Sequence, residues 1–435
     1  MSVEWPIVPL GKLVKVKGGK RLPKNSSLQK EKNTHPYIRV RDMGCRLLPD
    51  TGLEYVPDDV FPKIQRYIVE ENDLIISIVG TIGLVSFIDE RFHLASQTEN
   101  CAKLSGLDRL DALCLYYYLK SSSGQQHIKE ATVGAVQAKL PLYNIEKLPV
   151  VWPDKHIRSS IVSSLGSIDD KIELNRQINQ TLENMAEVVF NSWFVNFEPT
   201  HAKIRAKENG QDPERAAMAA IAGKPVDQLD TLSDKQLETL KSTAALFPDT
   251  LVDSEVGEIP EGWGVETLEG LIELSYGKAL KKTDRVEGDF PVYGSGGLTG
   301  THNKPLVEGP GIIVGRKGTV GSLYWEDQSF FPIDTVFYVQ CKGEVTLEYV
   351  YYLLQTLGLE NMNTDAAVPG LNRNNAYRLE VPKVPNSLIS AYSIFTKILR
   401  NKMSIAQDEI KTLELLRETL LPKLLSGEID LSEAA

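Results

Sequence analysis

Basic side chains are the residues of this sequence whose type and spacing could do chemistry. From Lys12 to Arg46 the chain has eleven lysines and arginines against two acidic residues. Both basic types neutralise phosphate groups, and arginine also donates two hydrogen bonds at once to the edge of a guanine. The net charge of −10 opposes nucleic-acid binding, but acidic residues concentrate elsewhere, as between Asp249 and Glu261. A chain that is acidic overall can therefore still present a basic surface.

We predict contacts with duplex DNA from two groups of basic residues. The first group is Lys20, Arg21, Lys24, Arg39 and Arg41. The second group is Lys278, Lys281, Lys282, Arg316, Lys317 and Arg373. Each of these side chains is suited either to positioning a phosphate or to reading a base, and a solvated surface charge stays the alternative for any one of them.

Motifs for other kinds of chemistry are incomplete. Two glycine-rich segments, residues 294–300 and 315–321, lack the spacing of phosphate-binding loops and predict turns instead. The histidines have no partner at metal-binding spacing, and the cysteines form no Cys-x-x-Cys pair. The Asn-Pro-Pro or Asp-Pro-Pro motif of amino-methyltransferases is absent from the sequence as well. We therefore predict no catalytic residue and no metal site, which disfavours a nuclease or methyltransferase that acts alone.

The chain contains one sequence pattern twice. Residues 5–24 recur at residues 263–282 with a constant offset of 258, and both segments contain a Gly-Lys pair. Further matches follow in the same order with an offset that falls to 231, namely 74–83 with 312–321, 117–119 with 351–353, Ala135-Val136 with Ala367-Val368, and 148–150 with 379–381. Matches in one constant order indicate two copies of a domain that differ by loop deletions.

An apolar seam with helical spacing follows each copy. Within each copy, short β-branched and aromatic runs broken by Gly, Pro and Asp predict strands and turns. From Ile157 to Trp193, with one irregularity after Ile172, and again from Leu388 to Leu424, apolar residues recur at spacings of mostly three and four. Each seam predicts a helix of roughly 50 Å at 1.5 Å per residue. A narrow seam must be buried, so we expect the two helices to pair in antiparallel directions, with one domain at each end.

Four further motifs make the chain similar to the specificity subunit of Type I restriction-modification enzymes. They are PYIRVRD at 36–42, IDDKIELN at 168–175 with FNSWFVNF at 190–197, AALFPD at 244–249 leading to IPEGW at 259–263, and LPKLLSGEID at 421–430. The resemblance covers essentially the whole chain. It implies an α+β fold, in which two pseudo-two-fold-related target-recognition domains are separated by an antiparallel pair of long coiled-coil helices.

The two copies and the apolar seams that follow them divide the chain into five segments. Residues 1–153 are expected to form the first target-recognition domain, and residues 154–197 the central conserved helix. Residues 198–262 are expected to be a linker that returns the chain to the second domain. Residues 263–386 are then the second target-recognition domain, and residues 387–428 the C-terminal conserved helix.

A specificity subunit is non-catalytic, so the implied function is recognition of a bipartite, asymmetric DNA target. The implied partners are double-stranded DNA, two modification (methyltransferase) subunits that methylate adenine, and restriction (motor-nuclease) subunits. We expect no cofactor in this chain, with S-adenosylmethionine, ATP and magnesium in the partner subunits. The second copy has Phe290-Pro-Val-Tyr in place of the Tyr-Ile-Arg-Val-Arg segment, so its target cannot be inferred from the first copy.

The sequence leaves one alternative from a different class, a two-headed scaffold whose domains bind protein. The acidic net charge favours it, and a complete lack of affinity for duplex DNA would identify it. The start of the sequence lacks the features of a secretory signal, and no apolar run approaches the roughly 20 residues of a membrane helix. We therefore expect a cytoplasmic protein that does not associate with membranes.

Overall fold

The computed structural model describes residues 5–49, 51–134, 137–362 and 370–429. The repeated pair Ala135-Val136 and Ala367-Val368 lies outside the described residues. The chain divides into two units, of which the first comprises Met1–Arg176 and Asp408–Ala435 and the second Gln177–Gln407. Each unit therefore contains part of both predicted long helices.

The first unit contains a mixed α/β domain, called here the first head. Its strands are β1 (Ile7–Pro9), β2 (Lys15–Gly18), β3 (Pro36–Ile38), β4 (Glu54–Tyr55), β5 (Leu74–Ser77), β6 (Val85–Phe87), β7 (Ser96–Gln97), β8 (Cys101–Ser105) and β9 (Pro149–Val151). Its helices are α1 (Arg109–Lys120), α2 (Ser122–Ala131) and α3 (Leu142–Ile145). An antiparallel sheet has the order β2-β8-β5-β6, strand β3 lies between antiparallel β4 and parallel β7, and β1 pairs with β9.

The first long helix, α4 (Lys155–Phe190), ends in a π-helical turn at Asn191–Val195. The residues after it form α5 (Glu198–Glu208), α6 (Pro213–Ala222), α7 (Asp234–Ala244), and the hairpin of β10 (Leu251–Ser254) with β11 (Gly257–Pro260). These elements belong to the second unit.

A second α/β domain, called here the second head, follows in the same unit. Its strands are β12 (Gly264–Thr267), β13 (Ile272–Tyr276), β14 (Phe290–Gly294), β15 (Gly297–His302), β16 (Gly311–Gly315), β17 (Leu323–Glu326), β18 (Phe331–Pro332), β19 (Val336–Cys341) and β20 (Glu380–Lys383). Its helices are α8 (Leu268–Leu271), α9 (Leu347–Thr356) and α10 (Arg373–Tyr377). The second long helix, α11 (Asn386–Leu425), closes the chain.

The two heads have the same topology, which confirms the predicted duplication. The second head has an antiparallel sheet in the order β13-β19-β16-β17, a strand β14 between antiparallel β15 and parallel β18, and a β12–β20 pair. Equivalent hydrogen bonds recur as well. The Leu10 amide donates to the Leu148 carbonyl at 2.9 Å, and the Leu268 amide donates to the Leu379 carbonyl at 2.8 Å. The apolar runs from which strands were predicted form sheets, and their buried side chains are part of the cores of the two heads.

The two long helices pair in antiparallel directions within each unit, as predicted. In the first unit, the Asn175 amide donates to Glu409 at 2.8 Å, and Arg417 donates to Asp169 at 2.6 Å. In the second unit, the Tyr392 hydroxyl donates to the Ala186 carbonyl at 3.0 Å. Residue numbers along α4 therefore increase in the direction in which the residue numbers of its contacts on α11 decrease, as in an antiparallel pair. Proline at position 422 does not stop α11, which continues to Leu425.

A buried carboxylate joins the first head to both long helices. Asp169 of α4 is only 3% exposed. It accepts hydrogen bonds from the Tyr117 hydroxyl of α1 at 2.9 Å and from Arg417 of α11 at 2.6 Å. A buried charge is tolerated when it is paired and hydrogen-bonded, so this three-residue contact fixes α1 against the helix pair.

An arginine takes the equivalent place in the second unit. Arg400 follows Asp169 by 231 residues, the offset that also separates Leu148 from Leu379. Its guanidinium donates to the Tyr352 hydroxyl of α9 at 2.9 Å and pairs with Glu183 of α4 at 3.2 Å. It also lies 4.5 Å from the Trp325 ring centroid. In each unit, a tyrosine of the head thus contacts a charged residue of a long helix, with the charges exchanged between the units, although the repeat pairs Tyr117 with Tyr351 and not with Tyr352.

The segment predicted as a linker, residues 198–262, contains three helices and a hairpin. Helices α6 and α7 and the 3-10 turn at Val226–Thr231 enclose a small core that includes Met218, Leu229 and Ala244. Lys203 of α5 is buried and donates to Glu214 at 2.6 Å and to the Phe247 carbonyl at 2.8 Å. Pro225 and Pro248 lie outside these helices and not within them. Prolines at the start of α5 and α6 are compatible with helix initiation, and the alanine-rich sequence of α6 favours helix.

Candidate nucleic-acid interface

The Gly-Lys pair that recurs in the sequence is a close crossing of two backbone segments in each head. A Cβ atom on Gly19 would lie 2.1 Å from the Thr98 carbonyl oxygen, and one on Gly277 would lie 2.1 Å from the Ile333 carbonyl oxygen. Only glycine allows this approach. The next residue then donates its amide across the crossing at 3.0 Å, from Lys20 to Gln97 and from Lys278 to Pro332. Both lysine side chains are exposed at this equivalent position.

In the second head, two predicted arginines meet on one aromatic ring beside this crossing. The guanidinium carbon of Arg316 lies 4.7 Å from the ring centroid of Tyr276, and that of Arg373 lies 5.0 Å from the same centroid. Tyr276 itself is 48% exposed. We call these three residues the tyrosine–arginine cluster. Stacking on an aromatic ring attracts a guanidinium and restricts its orientation.

The sheet topology explains why residues so distant in sequence meet. Strand β19 lies between β13 and β16, and it pairs Phe337 with Tyr276 and Val336 with Gly315. The end of β13 is thereby placed beside Arg316, which directly follows β16. The amide of Leu371 then donates to the Arg316 carbonyl at 2.8 Å and brings the start of α10, at Arg373, to the same place.

The two arginines of the cluster bind no carboxylate among the described residues. Arg316 donates to the Asp334 carbonyl at 3.2 Å, and Arg373 donates to the Leu274 carbonyl at 3.4 Å. The Nε atom of Arg373 is buried and has no hydrogen-bond partner in the described part of the chain. Two adjacent cations without a carboxylate attract anions and hydrogen-bond acceptors.

The other predicted lysines of the second head are exposed. Lys317 follows Arg316 and faces Gly370 in an isolated β-bridge, so it lies beside the cluster, as Lys278 does. Lys281 and Lys282 lie further along the chain at a short 3-10 turn. The described contacts do not bring these two residues to the cluster. Exposed lysines of this kind are mobile point charges that suit phosphate groups.

The first head has no such cluster at the equivalent positions. The residue before its Gly-Lys pair is Gly18, where the second head has Tyr276. The Leu140 amide donates to the Ile78 carbonyl at 2.9 Å, as Leu371 does to Arg316, so Ile78 takes the place of Arg316. Leu142 begins α3 as Arg373 begins α10. The first head is therefore apolar where the second head is cationic.

The arginines of the first head are paired with carboxylates instead. Arg39 forms an ion pair with Glu54, which Arg41 also contacts at 3.3 Å. Arg41 lies in addition 3.4 Å from Asp42. Burial raises the pKa of the Asp42 carboxyl, although Arg41 acts to lower it. The structure thus brings Arg39 and Arg41 together at the end of β3, with part of their charge neutralised.

The remaining predicted residues of the first head lie on either side of the Gly-Lys crossing. Arg21 is exposed and pairs with Glu99 at 2.5 Å. Partial burial acts to raise the pKa of Glu99, but the hydrogen bonds from Arg21, from Thr98 and from the backbone, together with the charge of Arg21, outweigh it, so the pKa is lowered. Lys20 lies 5.7 Å from the ring centroid of Tyr67, and Lys24 is exposed.

Two polar residues of this region escaped sequence reasoning. Tyr276 stands directly before the repeated Gly-Lys pair, and this position was the signal that could have identified it. Gln97 is 1% exposed, and neither atom of its amide has a hydrogen-bond partner in the described residues. It lies beside β3 through the parallel pair Ile38–Gln97. An unpaired buried amide costs free energy and is uncommon in a folded protein.

The glycine-rich segment 315–321 forms a turn, as predicted. The Gly315 amide donates to the Ser322 carbonyl at 2.7 Å, and Gly318 and Gly321 have positive φ angles of 86° and 71°. The first head repeats this geometry, since the Ser77 amide donates to the Leu84 carbonyl at 2.9 Å. The turn carries Arg316 and Lys317 in the second head only.

Histidine, cysteine and carboxylate side chains of the described residues do not gather in groups that could hold a metal ion. Within the same residues, no helix combines the length and the apolar character that crossing a membrane requires.

Comparison with known proteins follows the duplication seen in the fold. The family model described as the Type I restriction modification DNA specificity domain matches residues 2–184 and again residues 260–385. The chain belongs to this family. A specificity subunit has a role in DNA target recognition, which is not catalytic, and its partners are DNA and the other subunits of its restriction-modification enzyme.

Relatives of this specificity subunit occur in bacteria and archaea. The specificity subunit of the Type I restriction enzyme HindI from Haemophilus influenzae is 30% identical over 326 residues, which are 66% of this chain and 70% of that protein. The specificity subunit of the Type I restriction enzyme MjaIX from Methanocaldococcus jannaschii is 21% identical over 321 residues, 73% of this chain and 69% of that protein. The crystal structure of a Type I restriction-modification S subunit from M. genitalium aligns with 97% of this chain and 96% of its own, at 20% identity and a TM-score of 0.47.

Proposed function

We propose that this specificity subunit recognises a bipartite, asymmetric target in duplex DNA, with one half-site for each head. One observation carries the proposal. Where the second head has the tyrosine–arginine cluster, the first head has Gly18, Ile78 and Leu142 on the same backbone frame. A shared frame presents side chains to DNA in the same way, whereas different side chains select different bases. The two half-sites therefore differ in sequence.

The predicted basic residues have two roles in this proposal. Arg39, Arg41, Arg316 and Arg373 are held by ion pairs or aromatic rings and are assigned to base edges. The exposed residues Lys20, Arg21, Lys24, Lys278, Lys281, Lys282 and Lys317 are assigned to phosphate groups. Phosphate contacts fix the position of the protein on the duplex, and base contacts specify the sequence.

The partner subunits supply the chemistry in this proposal. Two modification subunits methylate adenine after flipping it out of the duplex, and restriction subunits cleave DNA. S-adenosylmethionine, ATP and magnesium bind to those subunits and not to this chain, and the complex works in the cytoplasm. The names of the relatives, which are subunits of Type I restriction enzymes, support this assignment.

The long helices provide a surface for these partners. Ile394, Ile398 and Ile405 lie on one face of α11 and are 66%, 56% and 61% exposed. Such a row of exposed isoleucines favours burial against another protein. We expect the modification subunit to cover it.

Methylome sequencing tests the proposed function. A host that carries this chain and its modification subunit should gain methylated adenines within one split, asymmetric DNA sequence. Affinity of the purified complex for a duplex with that sequence should fall along a straight line in a log-log plot against salt. A complex that methylates nothing and binds no duplex at any salt concentration would instead support the protein-binding scaffold.

A further inference from the structure

We propose that the tyrosine–arginine cluster reads a guanine in the second half-site, with Tyr276 as the residue that holds the two arginines in position. The proposal rests on the proposed function and adds to it the base that the second head selects. It also assigns a specific role to Tyr276, which is not basic.

The geometry of the cluster favours a base edge over a phosphate. Guanine presents two acceptors, N7 and O6, on one edge in the major groove, and arginine donates to both from its planar fork. Such recognition needs a guanidinium of fixed orientation. Arg316 is held by the Tyr276 ring at 4.7 Å and by a carbonyl at 3.2 Å, and Arg373 by the same ring at 5.0 Å.

The cluster also has donors to spare. Each guanidinium has five N–H donors. Its contacts in the described residues are one carbonyl oxygen and the aromatic rings, and no carboxylate of the described residues neutralises it. The exposed side chains of Lys278 and Lys317 beside the cluster provide charge for the phosphate backbone. The arginines are therefore available for the bases.

The first head supports the same assignment by contrast. Gly18, Ile78 and Leu142 occupy the equivalent positions, and a Cβ atom on Gly18 would lie 3.5 Å from the Leu142 side chain. The side chains at these three positions have no hydrogen-bond donor and cannot recognise guanine in this way. Phosphate contacts are needed by both heads, so a cluster that served only phosphates would be expected in both.

Modified DNA provides the first test, because it leaves the protein unchanged. Once the target is known from the methylome, each guanine of the second half-site is replaced in turn by 7-deazaguanine, which keeps Watson–Crick pairing and lacks the N7 acceptor. We expect one replacement to weaken binding by the complete complex by roughly 5- to 150-fold. The effect of the same replacement in the first half-site on binding should be equal for the wild-type protein and for variants of the cluster. Equal affinity for every modified duplex, or a second half-site without guanine, would overturn the proposal.

Variants of the cluster provide the second test. Arg316→Lys and Arg373→Lys keep the charge but lose the fork, so each should relax the base preference at one position of the second half-site. Tyr276→Leu should have a weaker effect of the same kind, because it removes only the ring that orients the arginines. Lys278→Ala and Lys317→Ala are the matched controls and should weaken binding to all sequences alike, with a smaller salt dependence.

The first half-site is the internal control of these experiments. Its unchanged methylation shows that a variant has folded and assembled with its partners. An arginine variant that keeps every base preference of the second half-site would refute the proposal, as would one that weakens all sequences equally. A wild-type complex with no bipartite target would refute the proposed function as well, so the two failures can be told apart.

Discussion

The two heads of this specificity subunit have one backbone frame and two different arrangements of polar side chains. In the first head, arginines gather at the end of β3, where Glu54 pairs with both Arg39 and Arg41. In the second head, arginines gather at the ends of β13 and β16, on the ring of Tyr276. The frame is maintained by glycine crossings, turns and buried strands. The side chains at the edge of the frame are therefore free to diverge, and with them the DNA sequence that each head selects.

The contacts between each head and the long helices differ in the same way. Tyr117 binds a carboxylate, Asp169, whose counterion is Arg417. Tyr352 binds an arginine, Arg400, whose counterion is Glu183. Loss of one partner of a buried ion pair costs several kcal/mol of stability. We therefore expect substitutions in these contacts to lower the free energy of unfolding more than substitutions elsewhere in the two heads.

Removal of the buried carboxylate should have the largest effect. Asp169→Ala leaves Arg417 unpaired in a largely buried position and should lower the free energy of unfolding by about 3–5 kcal/mol. Glu183→Ala should cost less, about 1–3 kcal/mol, because Arg400 keeps the Tyr352 hydroxyl and three aromatic rings. Urea denaturation of the two variants measures both values.

In the double variant Asp169→Ala with Arg417→Ala, the loss of unfolding free energy should be smaller than the sum of the losses in the two single variants. Equal losses for Asp169→Ala and Glu183→Ala would contradict the difference between the two contacts.

The glycine crossings should respond alike in the two heads. Gly19→Ala and Gly277→Ala each place a Cβ atom 2.1 Å from a carbonyl oxygen, so the backbone segments must separate. We expect each substitution to lower the unfolding free energy by about 1–3 kcal/mol, measured by urea denaturation. Gly296→Ala is the control, because a Cβ atom there meets nothing within 4 Å. If only one crossing were sensitive, the frame would not be shared as closely as the hydrogen bonds indicate.

Arg39 should affect one half-site only. Its ion pair with Glu54 orients the guanidinium, and Arg39→Ala should cost about 1–3 kcal/mol of binding free energy if it contacts a base. Titration of duplexes that vary one half-site at a time measures the effect. Glu54→Gln, which removes the counter-charge from Arg39 and Arg41, should change the same half-site. A change of preference in the second half-site would show that the heads do not read DNA independently.

The exposed lysines should have the smallest effects. Lys24→Ala in the first head and Lys281→Ala in the second should each weaken binding to every sequence by a similar factor. The slope of the log-log plot against salt should become about 1 smaller in magnitude for each lost phosphate contact. An altered base preference for either variant would show that the lysine contacts a base and not a phosphate.

Local pattern was sufficient for much of this architecture. The duplication, the two long helices and the turn at residues 315–321 were predictable, because each depends on the order and spacing of residues within one segment. The repeated Gly-Lys pair was visible as well, although its reason was not. The helices of residues 198–244 were not predicted, because each is short and lacks the long apolar seam that indicates α4 and α11.

The sequence by itself determined that this protein is a duplicated specificity subunit with basic residues in both copies. Only the tertiary structure decided which of those residues are neutralised and which are free, because ion pairs and ring contacts depend on positions that the sheet brings together. Arg39 meets Glu54 across β3 and β4, whereas Arg316 meets Tyr276 across β19. The charge of a residue follows from the sequence, but which counter-charge lies beside it depends on the neighbouring strand.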